Sequence, residues 1–270
     1  MILLGYIAAM LIGVSLGLIG AGGSILAVPV LVFMFGVPPV LATSYSLFVV
    51  GISTLFGSIS YMKSKCVNYR NVIVFGIPSL IGVYCTRKLL LPQIPDTLCR
   101  IDNMVITKDI GMMILFSILM IAASFSMIKK SKMDANDDRE PPSKNYRYGL
   151  IIIEGLIVGG VTGLVGAGGG FLIIPALVIL AGEPMKKAVG TSLLIIAAKS
   201  LIGFSGDVSN HMNINWDFLF LFSSFAIAGI LVGAYLSKFI SGEKLRPAFG
   251  WFVLIMGLCI ITQQLLGIKF

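Results

Sequence analysis

Residues Gly163–Leu180 read GLVGAGGGFLIIPALVIL, and residues Gly17–Val32 read GLIGAGGSILAVPVLV, nearly the same text 146 positions earlier. Each stretch places a cluster of glycines directly before a short apolar run that contains a proline. The match extends outward. Gly13, Gly17, Gly20, Gly22, Gly23, Pro29 and Gly36 pair with Gly159, Gly163, Gly166, Gly168, Gly169, Pro175 and Gly182. Ala42, Ser46 and Leu47 pair with Ala188, Ser192 and Leu193; with one residue inserted, Asn68 matches Asn215 and Gly82 matches Gly229. Agreement at so many fixed offsets marks a duplicated unit.

Of the 270 residues, 57% are hydrophobic and 12% are charged, with a mean hydropathy of +0.99. A soluble domain carries about 25% charged residues, so this composition predicts an all-α polytopic membrane protein in contact with a lipid bilayer. Apolar segments fall at 2–20, 24–35, 39–61, 70–90 and 105–128, then at 148–166, 170–181, 185–206, 216–239 and 245–266. The first has no Lys or Arg before it and is expected to be a retained membrane segment rather than a cleaved leader. Between the two sets lies a charged stretch, which divides the chain into a first membrane repeat (1–128), a linker (129–147) and a second membrane repeat (148–270).

Positive charge sets the relative orientation of the repeats. With five crossings per half, the halves are inverted. The linker and the joints carrying Lys63, Lys65, Arg70, Lys186, Lys187, Lys238, Lys244 and Arg246 then share one side, with 14 Lys and Arg in all. Arg87, Lys88, Arg100, Lys108 and Lys269 fall on the other. Four crossings per half spread the charge almost evenly, so the positive-inside rule favours inverted halves with a cytoplasmic linker, in a multi-pass protein of the cell (inner or plasma) membrane. The bases are dispersed near segment ends, which points to membrane loops and not to nucleic acid. Cys66, Cys85, Cys99 and Cys259 are scattered without a C-x-x-C pair and read as small apolar residues; no metal site or cofactor motif is expected.

Segments 24–35 and 170–181 are 12 residues each, about 18 Å of helix against a hydrocarbon core of about 30 Å. Each glycine turn is therefore expected inside the membrane, where irregular backbone survives only when it is buried in protein or lines a wet cavity. Glycine permits the turn and lets the main chain approach a ligand; the helix that follows presents unpaired, partly positive N–H groups that attract anions. In an inverted fold the two turns would meet near the midplane, the pattern of carriers with broken helices. The candidate anion-lining residues are Gly20, Ala21, Gly22, Gly23 and Ser24 in the first turn, with Gly166, Ala167, Gly168, Gly169 and Gly170 in the second. Gly13, Gly17, Gly159 and Gly163 instead have the spacing of helix-packing positions.

GLIGAGGSILAVPVL, GLVGAGGGFLIIPAL and AVGTSLL at Ala188–Leu194 resemble the sulfite exporter TauE/SafE family of membrane permeases, across essentially the whole chain. The resemblance implies a secondary transporter, usually an exporter, of small anions such as sulfite and organosulfonates. The first half departs from the second in carrying ATSYSLF at Ala42–Phe48, and residues 96–109 are a polar insertion without a counterpart.

Lys199 sits deep in TSLLIIAAKSLIGF, where an ammonium costs about 2.5–3.5 kcal/mol on insertion scales and is expected to face a cavity. Ser44, Ser46, Thr191 and Ser192 could donate hydroxyls to an oxyanion, or bond their own helix backbone. Glu154 could couple transport to an ion or pair with Lys199. Asp207 and His211 flank a joint expected to face outside. No catalytic residue is expected. Gly203–Gly206 has the G-x-S-G form of rhomboid-like intramembrane proteases, but its nearest histidine, His211, lies in the following joint rather than on a facing helix. A passive anion channel would use the same donors as a carrier. No nucleotide-binding loop is visible, so energy would come from a gradient or a partner. A homodimer suits a chain of this size, although no residue pattern requires one.

Overall fold

The computed structural model describes residues 2–101, 104–128, 148–179, 181–210, 213–237 and 242–266; the charged linker and His211 lie outside them. In the first half, α1 (Ile2–Ile19) leads through a 3-10 turn (Ala21–Leu26) into α2 (Ala27–Phe35), followed by α3 (Pro39–Lys63) and α4 (Tyr69–Cys85). A π-helical turn (Thr86–Leu90) and the short α5 (Leu91–Gln93) extend α4 before β1 (Thr97–Ile101), β2 (Met104–Thr107) and α6 (Lys108–Ile128). The second half comprises α7 (Tyr148–Val165), α8 (Gly170–Ile179), α9 (Met185–Ser209), α10 (Trp216–Leu236) and α11 (Gly242–Leu266). Five stretches, Pro39–Lys63, Tyr69–Gln93, Lys108–Phe125, Lys187–Ser209 and Trp216–Leu236, are long and apolar enough to cross a membrane. Their lipid-facing sides are legible: Ile73, Ile77 and Ile81, each about one turn apart on α4, are all more than half exposed.

Helix directions follow from the residues in contact. Gly13 packs on Ala226 and Ile230, and Gly17 on Ile230 and Ala234, so α1 and α10 run parallel. Gly155, Gly159 and Gly163 meet Phe75, Ser79 and Val83 in turn, so α7 and α4 are parallel as well. Ser44 meets Asp207 whereas Tyr61 meets Gly190, which makes α3 and α9 antiparallel. α10 runs with α3 (Tyr45 to Asn215, Gly57 to Ile230), and α9 with α4 (Gly76 to Ile195, Gly203 to Val83). Every matched pair, α1 with α7, α3 with α9 and α4 with α10, therefore points in opposite directions. The halves are inverted, as the charge distribution predicts. They are also interlocked, since each half's first helix packs on the other half's third long helix, α1 on α10 and α7 on α4.

Small residues make that interlock possible. A Cβ on Gly13, Gly17 or Gly159 would collide with the backbone of the facing helix, and one on Gly163 would crowd Thr86 and Val83 at 3.0–3.2 Å, so these four are packing positions as their spacing suggests. α3 and α9 form the centre: 72% and 67% of their apolar windows are buried, against 39% for α4, α6 and α10. Asn68 and Asn215, matched in the repeat, accept N–H bonds from the first turns of α4 and α10 and set their starts. The polar insertion forms the antiparallel β1–β2 hairpin, the one departure from an all-α chain among the described residues. Just beyond it, Asp109 accepts the Val40 N–H (3.2 Å) at the start of α3. The molecule thus has a linker end, holding the 64–68 and 181–184 joints, and a hairpin end, holding β1–β2, the end of α9 and the start of α10.

Candidate functional site

The two glycine turns begin at opposite ends and converge inward. Gly20 lies against Val189 near the start of α9, at the linker end; Gly166 lies against Thr43 near the start of α3, at the hairpin end. From Gly20 the six-residue 3-10 turn descends about 12 Å before α2 opens. α2 then returns to the hairpin end, where Phe35 packs on Gly5 and Tyr6. In the second half Gly168 lies against Val50 and Ile196, at the middle of the 25-residue helices α3 and α9. From there the 10 residues of α8 rise about 15 Å to the linker end, half of the hydrocarbon thickness. Both half-helices therefore start near mid-depth and run to opposite faces. The apolar segment that begins at residue 24 is helical in the α sense only from Ala27. The turns also differ in form: Gly166, Gly168 and Gly169 all have φ between 64° and 71°, whereas in the first turn Gly20 alone is left-handed.

Lys199 stands at this convergence. Its side chain is fully buried, and its ammonium donates to Thr162 Oγ1 at 2.8 Å. Thr162 in turn donates to the Val158 carbonyl, leaving its oxygen to accept from the lysine. A Cβ on Gly169 would come within 2.7 Å of Lys199 Nζ, so only glycine leaves room beside the charge. The one ion pair among the described residues is elsewhere, so Lys199 has no carboxylate partner there. The buried hydroxyls of Ser46, Ser53 and Ser200 on the two central helices lack hydrogen-bond partners. Ser46 and Ser53 share the Val50 face of α3, and a Cβ on Gly168 would lie 3.5 Å from Ser200 Oγ. Ser53 is also the repeat counterpart of Lys199, so the pocket of polar groups is asymmetric.

The remaining candidates spread along the central axis. Ser24 and Ala167 are fully buried, Gly23 packs on Ser15 and Leu16, Ala21 and Gly22 lie in the 3-10 turn, and Gly170 opens α8. Ser192 donates to the Val189 carbonyl of its own helix (2.8 Å), the backbone alternative for that hydroxyl. Thr191 accepts the Asn68 N–H (3.0 Å) at the linker end, and Ser44 donates to Asp207 (2.5 Å) at the hairpin end. Lys199 and the Gly168–Gly170 turn come together; Thr191 and Ser44 stand one at either end of the α3–α9 pair. Glu154 does not meet Lys199, whose partner Thr162 is eight residues, about 12 Å, further along α7. Ser205 of the protease-like motif is exposed and donates to the Ile202 carbonyl.

Two polar clusters go beyond the sequence expectations. Arg87 and Asp207, assigned from sequence to the loops of one face, are buried and paired at 3.0 Å, with Thr43 and Ser44 on the same guanidinium nitrogen. The correction has a simple cause: α9 runs to Ser209, beyond the apolar segment's edge at residue 206, and a π turn aims Arg87 inward. The available signal was that Arg87 already falls inside apolar segment 70–90. At the other end Glu183, 5% exposed, accepts from Asn71 Nδ2 at 2.6 Å. Burial pushes the Glu183 carboxyl above its ordinary range, against the pull of its hydrogen bonds to Asn71, Thr191 and Asn68 and the charge of Lys187.

Inverted repeats, half-helices that open at mid-depth and a buried lysine beside the second of them define a polytopic membrane transporter. The sulfite exporter TauE/SafE family model matches residues 5–260, and the chain belongs to that family. It is 33% identical over 202 residues to a probable membrane transporter protein of Methanocaldococcus jannaschii, covering 73% of this chain and 68% of that one. Probable membrane transporter protein YunE of Bacillus subtilis is 31% identical, with 79% of each chain covered. A probable membrane transporter protein of Xylella fastidiosa is 27% identical, over 94% of this chain and 92% of its own length. No solved structure matches the chain.

Proposed function

We propose that this transporter is a secondary carrier that exports a small oxyanion, sulfite or an organosulfonate, through the cell membrane, with the linker on the cytoplasmic side. One observation carries the reading: the Lys199 ammonium lies at mid-depth with a hydroxyl for its partner, against the glycine turn that opens α8. The Lys199 side-chain nitrogen, the N–H groups of a helix start and nearby hydroxyls form one donor set for an anion. Gly168, Gly169, Gly170, Lys199, Thr162 and Ser200 would hold it, with Ser46 and Ser53 opposite. Thr191 with Glu183, and Ser44 with Asp207, then flank the path at its two ends. Glu154 remains the candidate for ion coupling, since its Oε2 is buried without a partner.

Sulfite counterflow in proteoliposomes tests the proposal. Saturable uptake of labelled sulfite into sulfite-loaded vesicles is expected of a carrier, whereas a channel gives flux without trans-acceleration. No flux of sulfite, sulfate or taurine under imposed proton or sodium gradients would overturn it.

A further inference from the structure

Arg87 is fully buried, yet it spends only one nitrogen on its neighbours. Nη1 donates to Asp207 Oδ2 (3.0 Å), Thr43 Oγ1 (3.1 Å) and Ser44 Oγ (3.3 Å), and Ser44 Oγ itself donates to the same carboxylate oxygen. Nε and Nη2 are buried with no acceptor among the described residues. Those two nitrogens form the edge of a guanidinium whose parallel N–H bonds match two oxygens of a carboxylate, phosphate or similar oxyanion. An arginine that served only to neutralise Asp207 would present that edge to it. Here Asp207 takes the side nitrogen, and the fork is left over.

The position fits passage of an anion. Asp207 is eight residues beyond Lys199 on α9, about 12 Å along the helix axis towards the hairpin end. Thr43, which contacts Arg87, also packs directly against Gly166, the first residue of the second glycine turn. Arg87 sits within the π turn at Thr86–Leu90, and such bulges recur at functional sites. We propose that Arg87 is a second oxyanion station between the mid-depth site and the hairpin end. Its Nε–Nη2 edge takes two oxygens of the transported anion while Asp207, Ser44 and Thr43 hold Nη1. The adjacent Asp207 charge keeps this station weak, which suits a step that must release as well as bind. The inference rests on the oxyanion-carrier reading.

The full chain with bound selenite, an electron-dense analogue of sulfite, tests it directly. Density is expected at two places: beside Lys199 and within hydrogen-bond distance of Arg87 Nε and Nη2. Density at Lys199 alone overturns the Arg87 station and leaves the carrier reading standing; density at neither site overturns both. Sulfite titration of purified variants provides a second measurement. Arg87→Lys keeps the charge and the Asp207 contact but loses the fork, and should weaken binding about tenfold. Asp207→Asn still accepts from Nη1 while removing the competing charge, and should tighten sulfite binding about tenfold. A merely structural ion pair predicts weaker binding in both variants, or unchanged binding in well-folded protein, and either result would sink the proposal.

Discussion

Three buried ionisable groups, Lys199 and Asp207 on α9 and Arg87 in the turn after α4, differ in how visible they are in sequence. Lys199 is visible because it interrupts an unbroken apolar run. Arg87 and Asp207 lie near the ends of theirs, where a charge ordinarily reaches water, and their pairing across 120 residues has no local signature. For Lys199, removal of the ammonium separates function from folding. Lys199→Met should abolish or sharply raise the half-saturation of sulfite counterflow while raising thermal stability, since a desolvation cost of about 2.5–3.5 kcal/mol is relieved. A variant that loses stability and retains transport would contradict both halves of that statement. Glu183 makes a pH prediction. The folded protein holds its proton more tightly than the unfolded chain, in which a glutamate titrates near about 4.3. Its stabilising contribution is therefore complete below that value and is lost as pH rises through the elevated folded value. Glu183→Gln, whose amide oxygen can still accept from Asn71, should flatten this decline. Melting temperatures of both proteins from about pH 4 to about pH 8 would show the difference, greatest at the alkaline end.

At the scale of helices and turns, the two classes of glycine should respond differently to the same methyl group. Gly168 and Gly169 hold left-handed φ values beside Val50, Ser200 and Lys199, whereas Gly159 is an ordinary helical residue pressed on the Ser79 backbone. The pair Gly168→Ala, Gly169→Ala should eliminate anion flux with expression and insertion largely kept, because hydrophobicity barely changes. Gly159→Ala should act first on stability, by about 1–3 kcal/mol as overpacked interfaces do. Size-exclusion profiles, melting curves and counterflow on the same preparations distinguish the two. Element positions were legible from the apolar segments and the repeat, and so was the depth of the turns, because a 12-residue apolar segment cannot cross a bilayer. The conformational difference between the turns was not: AGGS and AGGG differ by one residue, and their distinct forms depend on surrounding helices. Nor was the role of Tyr45, which breaks the repeat. Its hydroxyl accepts the Asn215 N–H at 2.7 Å, as Thr191 accepts that of Asn68, so two different side chains make the same symmetric bond.

For the whole molecule, inversion has a consequence that neither half shows alone. Because α3 and α9 are antiparallel and each half's first helix packs on the other half, one rocking motion would widen one end of the central path as it narrows the other. The ends carry different polar groups: Glu183, Asn71 and Thr191 at the linker end, Arg87, Asp207 and Ser44 at the hairpin end. The sequence could predict the inversion because charge bias is a sum over joints and tolerates the misassignment of Arg87. It could not predict the interlock, which depends on glycines meeting backbone between halves. Orientation is open to direct measurement. In a background freed of native cysteines, Lys65→Cys lies in the joint at the linker end and Asn213→Cys in the joint at the hairpin end. Both residues are exposed, so each should react with a membrane-impermeant maleimide. With intact cells only the Asn213→Cys protein should be labelled, and Lys65→Cys only after permeabilisation. Labelling of both from one side would contradict the inverted, membrane-spanning arrangement. The reverse pattern would preserve the arrangement but turn the molecule over, placing Arg87 on the cytoplasmic face.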